Sequence, residues 1–298
     1  AADETVSALT RRFDLPEVVA RAMAARGITA ETAETYLAPT LRALMPDPSR
    51  LADMDVAVAR LARAVVERET IAIFGDYDVD GATSTALLAR YFTGLGVPVR
   101  THIPDRITEG YGPNPQALLA LRDQGAKLLI TVDCGVTAFA ALDAARDGGM
   151  EAIVIDHHQV EDRLPECLAV VDPKRRDDAS GADDLAAVGV AFLLLVGLNR
   201  ALRAAGAFGP ERPEPDLKTL LDLVAFGTVC DVVPLKGLNR AFVVQGLKVM
   251  GEGGNVGLAC LAARAGLTAA PETYHIGFVM GPRINAGGRV GKADLGAR

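Results

Sequence analysis

Tryptophan is absent from this 298-residue chain, and all aromatic residues together make up 5% of it. Stacking platforms for nucleic-acid bases are therefore sparse. Cysteine is limited to Cys134, Cys167, Cys230 and Cys260, and no two of them form a CxxC pair. That excludes a clustered structural zinc site and a disulfide framework, and it predicts a reducing, cytoplasmic setting. No apolar run is long enough to span a bilayer. The longest covers 185–198, only 14 residues, and reads as a buried core helix. The first residues, "AADETVSALTRRFD", lack the apolar stretch of a signal peptide. An excess of positive charge is missing as well. Lys and Arg total 31 against 38 Asp and Glu, a formal net charge of −7. Bulk charge therefore gives no attraction to a polyanion. Aspartates gathered around cations would lower the formal count without repelling phosphate once the metal is bound, so a nucleic-acid substrate stays open.

Apolar residues, by contrast, are plentiful. Half of the chain is hydrophobic, enough for a packed core in one or two domains. Strand-like runs at 71–75, 97–103, 127–133, 151–156 and 168–172 alternate with helix-like segments at 82–95, 115–124, 136–147 and 187–205. A helix over 53–68 precedes the first strand. This alternation predicts an α/β fold with a parallel sheet flanked by helices. Residues 1–50 read as a helical N-terminal arm, 206–215 as a loop, and the remainder as a helical C-terminal segment.

Three aspartates alternate in "IAIFGDYDVDGATSTALL", residues 71–88, and Gly81 follows them. The spacing imitates the start of an EF-hand loop, but position 12 falls on Leu87, which has no oxygen to offer. A β-branched apolar run precedes Asp76 and a helix-forming run follows Gly81. The aspartates thus sit where a strand ends and a helix begins, the usual ligand position in an open α/β sheet. Two further strands end in chemistry-bearing residues, one at Asp133 and one at Asp156-His157-His158. Asp231 lies among apolar neighbours, where a lone carboxylate is costly. One such acid is ordinarily a helix cap. Acids at three strand ends, one beside two histidines, point instead to Mn²⁺, Mg²⁺, Fe²⁺ or Zn²⁺. Six or more ligands suggest two ions, an arrangement suited to phosphoryl chemistry.

Read together, "GDYDVDGATS", "TVDCG", "DHH", the aspartate of "GTVCDVVPL" and "GPRINAGGR" resemble the DHH phosphoesterase superfamily, in order, over roughly residues 50 to 298. The motif forms are nearest to those of its single-stranded-DNA nucleases. The resemblance implies a 5′-to-3′ exonuclease that uses two Mn²⁺ or Mg²⁺ ions and releases 5′-mononucleotides in recombination and repair. It implies one ion on Asp76, Asp78 and Asp133, and a second on Asp80, Asp133, His157 and Asp231. Asp156 would orient the imidazoles and His158 would contact the scissile phosphate. It also implies a catalytic unit over 51–235 and a connecting segment over 236–298 that leads to a second domain outside this sequence. The sequence departs from the common pattern at Cys230 and Gly287, both small changes.

Two basic segments are candidate DNA contacts. "IPDRITEGYGP" carries Arg106 and Tyr111, and "GPRINAGGRVGK" carries Arg283, Asn285, Arg289 and Lys292 among glycines whose amides could approach an anion. Arg283 is also expected to donate to the reacting phosphate. Each segment could equally be a solvated turn. Expected partners are single-stranded DNA and repair proteins such as a helicase or single-strand-binding protein, with no membrane. The alternatives are another phosphoesterase of the superfamily, acting on oligoribonucleotides, cyclic dinucleotides or pyrophosphate, or a non-catalytic replication scaffold.

Overall fold

A computed structural model describes residues 2–290 and 292–297, without the side chains of Ala2 and 288–290. The arm holds four short helices: α1 (Ala2–Phe13), α2 (Glu17–Ala24), α3 (Ala33–Leu37) and α4 (Leu41–Leu44). Its first three pack around a small core of their own: Val6, Leu9, Ala20, Met23 and Ala33. Arg240 ties the arm to the rest, stacking over Tyr36 at 4.1 Å and donating to its carbonyl.

Helix α5 (Met54–Glu67) leads into β1 (Ile71–Gly75), α6 (Val79–Gly94), β2 (Val99–His102), α7 (Pro115–Asp123), β3 (Leu128–Val132), α8 (Phe139–Asp147), β4 (Glu151–Ile155) and β5 (Ala169–Val171). The strands form one parallel sheet in the order β2-β1-β3-β4-β5. Alternate side chains feed two cores, as the two-residue period of a strand requires. Ile71, Ile73, Leu128, Ile130, Ile153 and Ile155 face the larger core. Ala72, Phe74, Leu129, Ala152 and Val154 face the smaller one, under α7 and α8. Covered on both faces, β1, β3 and β5 read in sequence as continuous apolar runs, and β4 does so after Glu151; the edge strand β2 is half-exposed.

The larger core is closed by α9 (Ala187–Ala204), α10 (Leu221–Cys230), α11 (Gly237–Gly251) and α12 (Val256–Arg264). Helix α9 extends over 18 residues, beyond the 14-residue apolar run, and is apolar enough to cross a membrane, but most of it is buried against α5, α6 and α10. Residues 236 onward share this core, because α11 packs along α10 and Leu238, Met250 and Leu258 belong to it. The chain then runs through α13 (Thr273–His275) and a π turn at Ile276–Met280 into α14 (Gly281–Val290).

Three local expectations need correction. Helix α6 begins at Val79 rather than 82, because Asp78 caps it by accepting from the Gly81 amide at 3.0 Å. Asp80 therefore lies in the first helical turn and not at the strand end. Helix α8 begins at Phe139 rather than 136. The "GPRINAGG" stretch is helical. Its amides serve the helix ladder and are not a glycine cradle for an anion.

Candidate metal centre

β1 lies inside the sheet, with β2 on one side and β3 on the other. The chain leaves β1 in one direction and later crosses to the other, which opens a crevice at the carboxyl ends of β1 and β3. Gly75, Val132 and Ile155 are in register across β1, β3 and β4. The next residues are Asp76, Asp133 and Asp156. Each stays tied to the sheet: Asp76 N donates to Val132 O, Asp133 N to Ile155 O, and Asp156 N to Val171 O, all at 3.0–3.2 Å. Asp172 follows β5 in the same row, so four aspartates line one rim.

Asp133 adopts φ 58°, the left-handed region that aspartate tolerates better than most residues. Glycine at 81 lets α6 approach, since a Cβ there would lie 2.4 Å from the Asp76 carbonyl oxygen. Helix α10 delivers Asp231 at its C-terminal cap.

The ligand atoms gather in overlapping triads. Those of Asp76, Asp78 and Asp133 lie within 4.8 Å of one another, as do those of Asp80, His157 and Asp231 and those of Asp133, His157 and His158. His157 Nε2 is 3.2 Å from Asp133 Oδ1 and 3.8 Å from Asp80 Oδ2. Its Nδ1 lies 3.0 Å from the Leu185 carbonyl, which can only accept, so Nδ1 carries the proton and Nε2 the lone pair. His158 Nδ1 meets Asp156 Oδ1 at 2.7 Å. Asp156 also accepts from the Val136 and His157 amides. It buttresses the His158 ring from outside the triads; it meets His157 only at the amide, and the Leu185 carbonyl holds that ring.

The electrostatics mark a site built for cations. Burial, reinforced by Asp231 and Asp78, raises the Asp80 carboxyl far above its usual range. Burial with Asp80 and Asp78 does the same to Asp133. Asp76 is pushed up to about 7 and Asp231 to about 6, in both cases by burial and then by Asp78. Burial, with the His158 charge, lowers His157 to about 4. His158 is raised, chiefly by its bond to Asp156. For Asp156 burial is opposed by that bond and its amide donors, and the net shift is downward. Asp76 Oδ1, His157 Nε2 and Asp231 Oδ2 are buried without hydrogen-bond partners among the described residues. Unpaired acceptors facing crowded carboxylates fit a hard divalent cation with oxygen and imidazole ligands.

At the rim, Arg106 stacks over Tyr77 at 4.6 Å and its charge reaches Asp76. Tyr77 meets Tyr111 edge-on, and Tyr111 in turn meets His158. Arg283 is not gathered here. Among the described residues, no hydrogen bond or ion pair links it to the carboxylates. It turns back to the Val279 carbonyl and borders a cleft with Arg90, Arg264, Leu258 and Leu295. No hydrogen bond among those residues joins Asn285, on the same helix, to the cluster. The Arg289 side chain lies outside the described residues. Cys230 ends α10 and directs its thiol at the Ile276 carbonyl, against Gly281.

Sequence reasoning missed Tyr77 and Asp172. The first stands between two motif aspartates. The second ends the last strand-like run, 168–172, as Asp133 and Asp156 end theirs. It also missed the backbone groups of Leu185, Ala187 and Val188, which no side-chain pattern reveals.

Parallel sheet, acidic rim and histidine pair together define a class: residues 70–228 match the DHH family, N-terminal domain, and the chain belongs to that family. Among its relatives are single-stranded-DNA-specific exonucleases named RecJ. The one from Bacillus subtilis is 37% identical over 98% of this chain and 35% of its own length. The one from Escherichia coli is 37% identical over 95% of this chain and 49% of its own length. The RecJ structure from Thermus thermophilus in complex with Mn²⁺ superposes with a TM-score of 0.78 at 33% identity, over 99% of this chain and 40% of that one. The chain thus spans a third to a half of the length of these relatives.

Proposed function

We propose that this chain is the catalytic part of a metal-dependent exonuclease that hydrolyses single-stranded DNA from the 5′ end to 5′-mononucleotides, in recombination and repair. The observation that carries it is the set of orphaned acceptors on Asp76, His157 and Asp231 around buried Asp133. The names of the relatives supply the substrate class.

In this reading Asp76, Asp78 and Asp133 hold one Mn²⁺ or Mg²⁺ ion. Asp80, Asp133, His157 and Asp231 hold the other, with Asp133 shared. When bound, such a pair supplies an activated water and neutralises charge on a phosphodiester. The chain's own residues do the rest. Asp156 accepts from His158 Nδ1–H and favours the cationic ring, whose Nε2–H would donate to a non-bridging oxygen. Arg106 and Tyr111 line the approach of the 5′ end. Arg283, Asn285 and Arg289 would bind the strand farther from the reacting phosphate. The arm over 1–50, the catalytic unit over 51–235 and the connecting segment over 236–298 are proposed as the functional divisions. A helicase or single-strand-binding protein would present the strand.

The test is release of labelled mononucleotide from single strands carrying label at either end, with Mn²⁺. Label should leave the 5′ end first, and Asp133→Ala should lower the rate by orders of magnitude while circular dichroism is unchanged. Near-normal turnover in that variant rules out the shared-ligand assignment.

A further inference from the structure

Helix α9 has no side-chain cap of its own. Its N-cap residue is Ala186, which cannot accept a hydrogen bond through its side chain. The orphan amides are satisfied from 107 residues away in sequence. Asp80 Oδ2 accepts from Ala187 N at 2.7 Å, and Asp80 Oδ1 accepts from Val188 N at 3.0 Å. Two residues before that pair, the Leu185 carbonyl accepts from His157 Nδ1 at 3.0 Å. One stretch of four residues therefore grips two candidate ligands borne by different elements, one on α6 and one after β4.

We propose that Leu185–Val188 is a positioning segment, a backbone template that fixes Asp80 and His157 relative to each other and so pre-forms the cation site they share with Asp231. This rests on the metal reading above and names the device behind it. A carboxylate has about four lone-pair sites. Two amide bonds leave acceptor capacity on both oxygens for a cation. They also lock the carboxylate against rotation, at a helix terminus whose dipole favours negative charge. The Leu185 carbonyl selects the His157 tautomer and turns Nε2 toward Asp133 and Asp80. From the far side α10 closes on the same contact. A Cβ at Gly227 would lie 3.0 Å from Asp80 Oδ1 and 2.8 Å from Val188 Cγ1. The template is made of main chain, so it acts whatever side chains other than proline's occupy 187 and 188. The triad of Asp76, Asp78 and Asp133 makes no bond to it.

The test is Ala187→Pro. Ala187 is the first helical residue, where proline is accepted. Ala186 already has ψ 160°, as a residue before proline requires. The ring removes the donor to Asp80 Oδ2 and puts its Cδ in the hydrogen's place. Manganese titration by calorimetry should then show two sites in the wild type. In the variant, one site should be weakened at least tenfold and the other left within a factor of two or three. Ala187→Gly, which keeps the N–H, should bind like wild type. If the proline variant does not fold by circular dichroism, lactic acid at position 187 replaces the amide N–H by an ester oxygen and takes the same titration. Two sites of wild-type affinity in the folded proline or ester variant overturn the template. Equal weakening of both sites also overturns it, since a general loss of structure would give that result. No uptake by the wild type sinks the metal reading itself.

Discussion

Asp172 shows how much of this site is decided by single side chains. It completes the row of aspartates behind the sheet and is fully buried. Oδ1 accepts from the Lys174 amide at 2.8 Å, but Oδ2 has no partner. Burial first, and then the Asp156 charge, push its carboxyl up to about 7, against the pull of the Lys174 amide. The folded value thus lies above the unfolded one, which is about 4. Between those limits the folded protein keeps a proton that the unfolded chain has lost. The contribution to stability is complete below about pH 4 and is lost as pH rises through 7. Asp172→Asn lacks this loss. Urea melts in EDTA should show the variant gaining on the wild type from pH 4 to 7, by up to a few kcal/mol, with a level difference above that. A constant difference across the range would mean that Asp172 titrates alike in the folded and unfolded chains.

At the scale of elements, the junction between β1 and α6 decides whether the carboxylates converge. Gly81 is the contact point. A Cβ there meets the Asp76 oxygen at 2.4 Å and its carbon and nitrogen at 2.7 Å, and backbone cannot yield as a flexible side chain would. Gly81→Ala should cost about 1–3 kcal/mol as overpacking. It should also abolish manganese uptake, because it moves Asp78 and Asp80 away from Asp76. Gly94, at the other end of α6, has open space where a Cβ would stand, with nothing within 4 Å, so Gly94→Ala should be neutral or mildly stabilising in the same melts. β1, β3, β4 and β5 were legible because a strand covered on both faces leaves an apolar run, whereas β2, at the sheet edge with Arg100 and Thr101 exposed, leaves none. Asp76, Asp133 and His157 were legible for the same reason, as the residues that end those runs. Helix starts were less so: the cap at Asp78 is only one more aspartate in a row of them. The glycine-rich stretch at 281–288 also reads as a basic turn, whereas it is helical. Gly281 lets the Cys230 thiol sit against α14. The hold of Leu185–Val188 on Asp80 and His157 could not be read at all, since every residue carries the same backbone donors and acceptors.

For the molecule as a whole, the net charge of −7 is misleading if taken as a uniform field. Asp76, Asp78, Asp80, Asp133 and Asp231 crowd one crevice, and burial raises the carboxyls of Asp76, Asp80, Asp133 and Asp231 above their usual range. Folding and cation uptake must then be linked, because the unfolded chain offers no such cluster. A ligand that binds only the folded form stabilises it by about 2.7 kcal/mol at a hundred times its dissociation constant. In a domain of this size one kcal/mol moves the melting temperature by about 2–4 °C. Manganese at saturation should therefore raise the melting temperature by at least several degrees, and EDTA should reverse the rise. The shift should depend on cation concentration as mass action requires. It should shrink in Asp133→Ala, which removes a ligand from both proposed sites, but stay complete in Gly94→Ala. The same cations reverse the sign of the crevice toward phosphate. Single-stranded DNA should therefore bind more tightly as manganese fills the proposed sites, which fluorescence anisotropy on Asp156→Asn, expected to be slow in the proposed turnover, can follow. A melting temperature indifferent to manganese would leave the acidic crevice without the counter-charge that its burial demands.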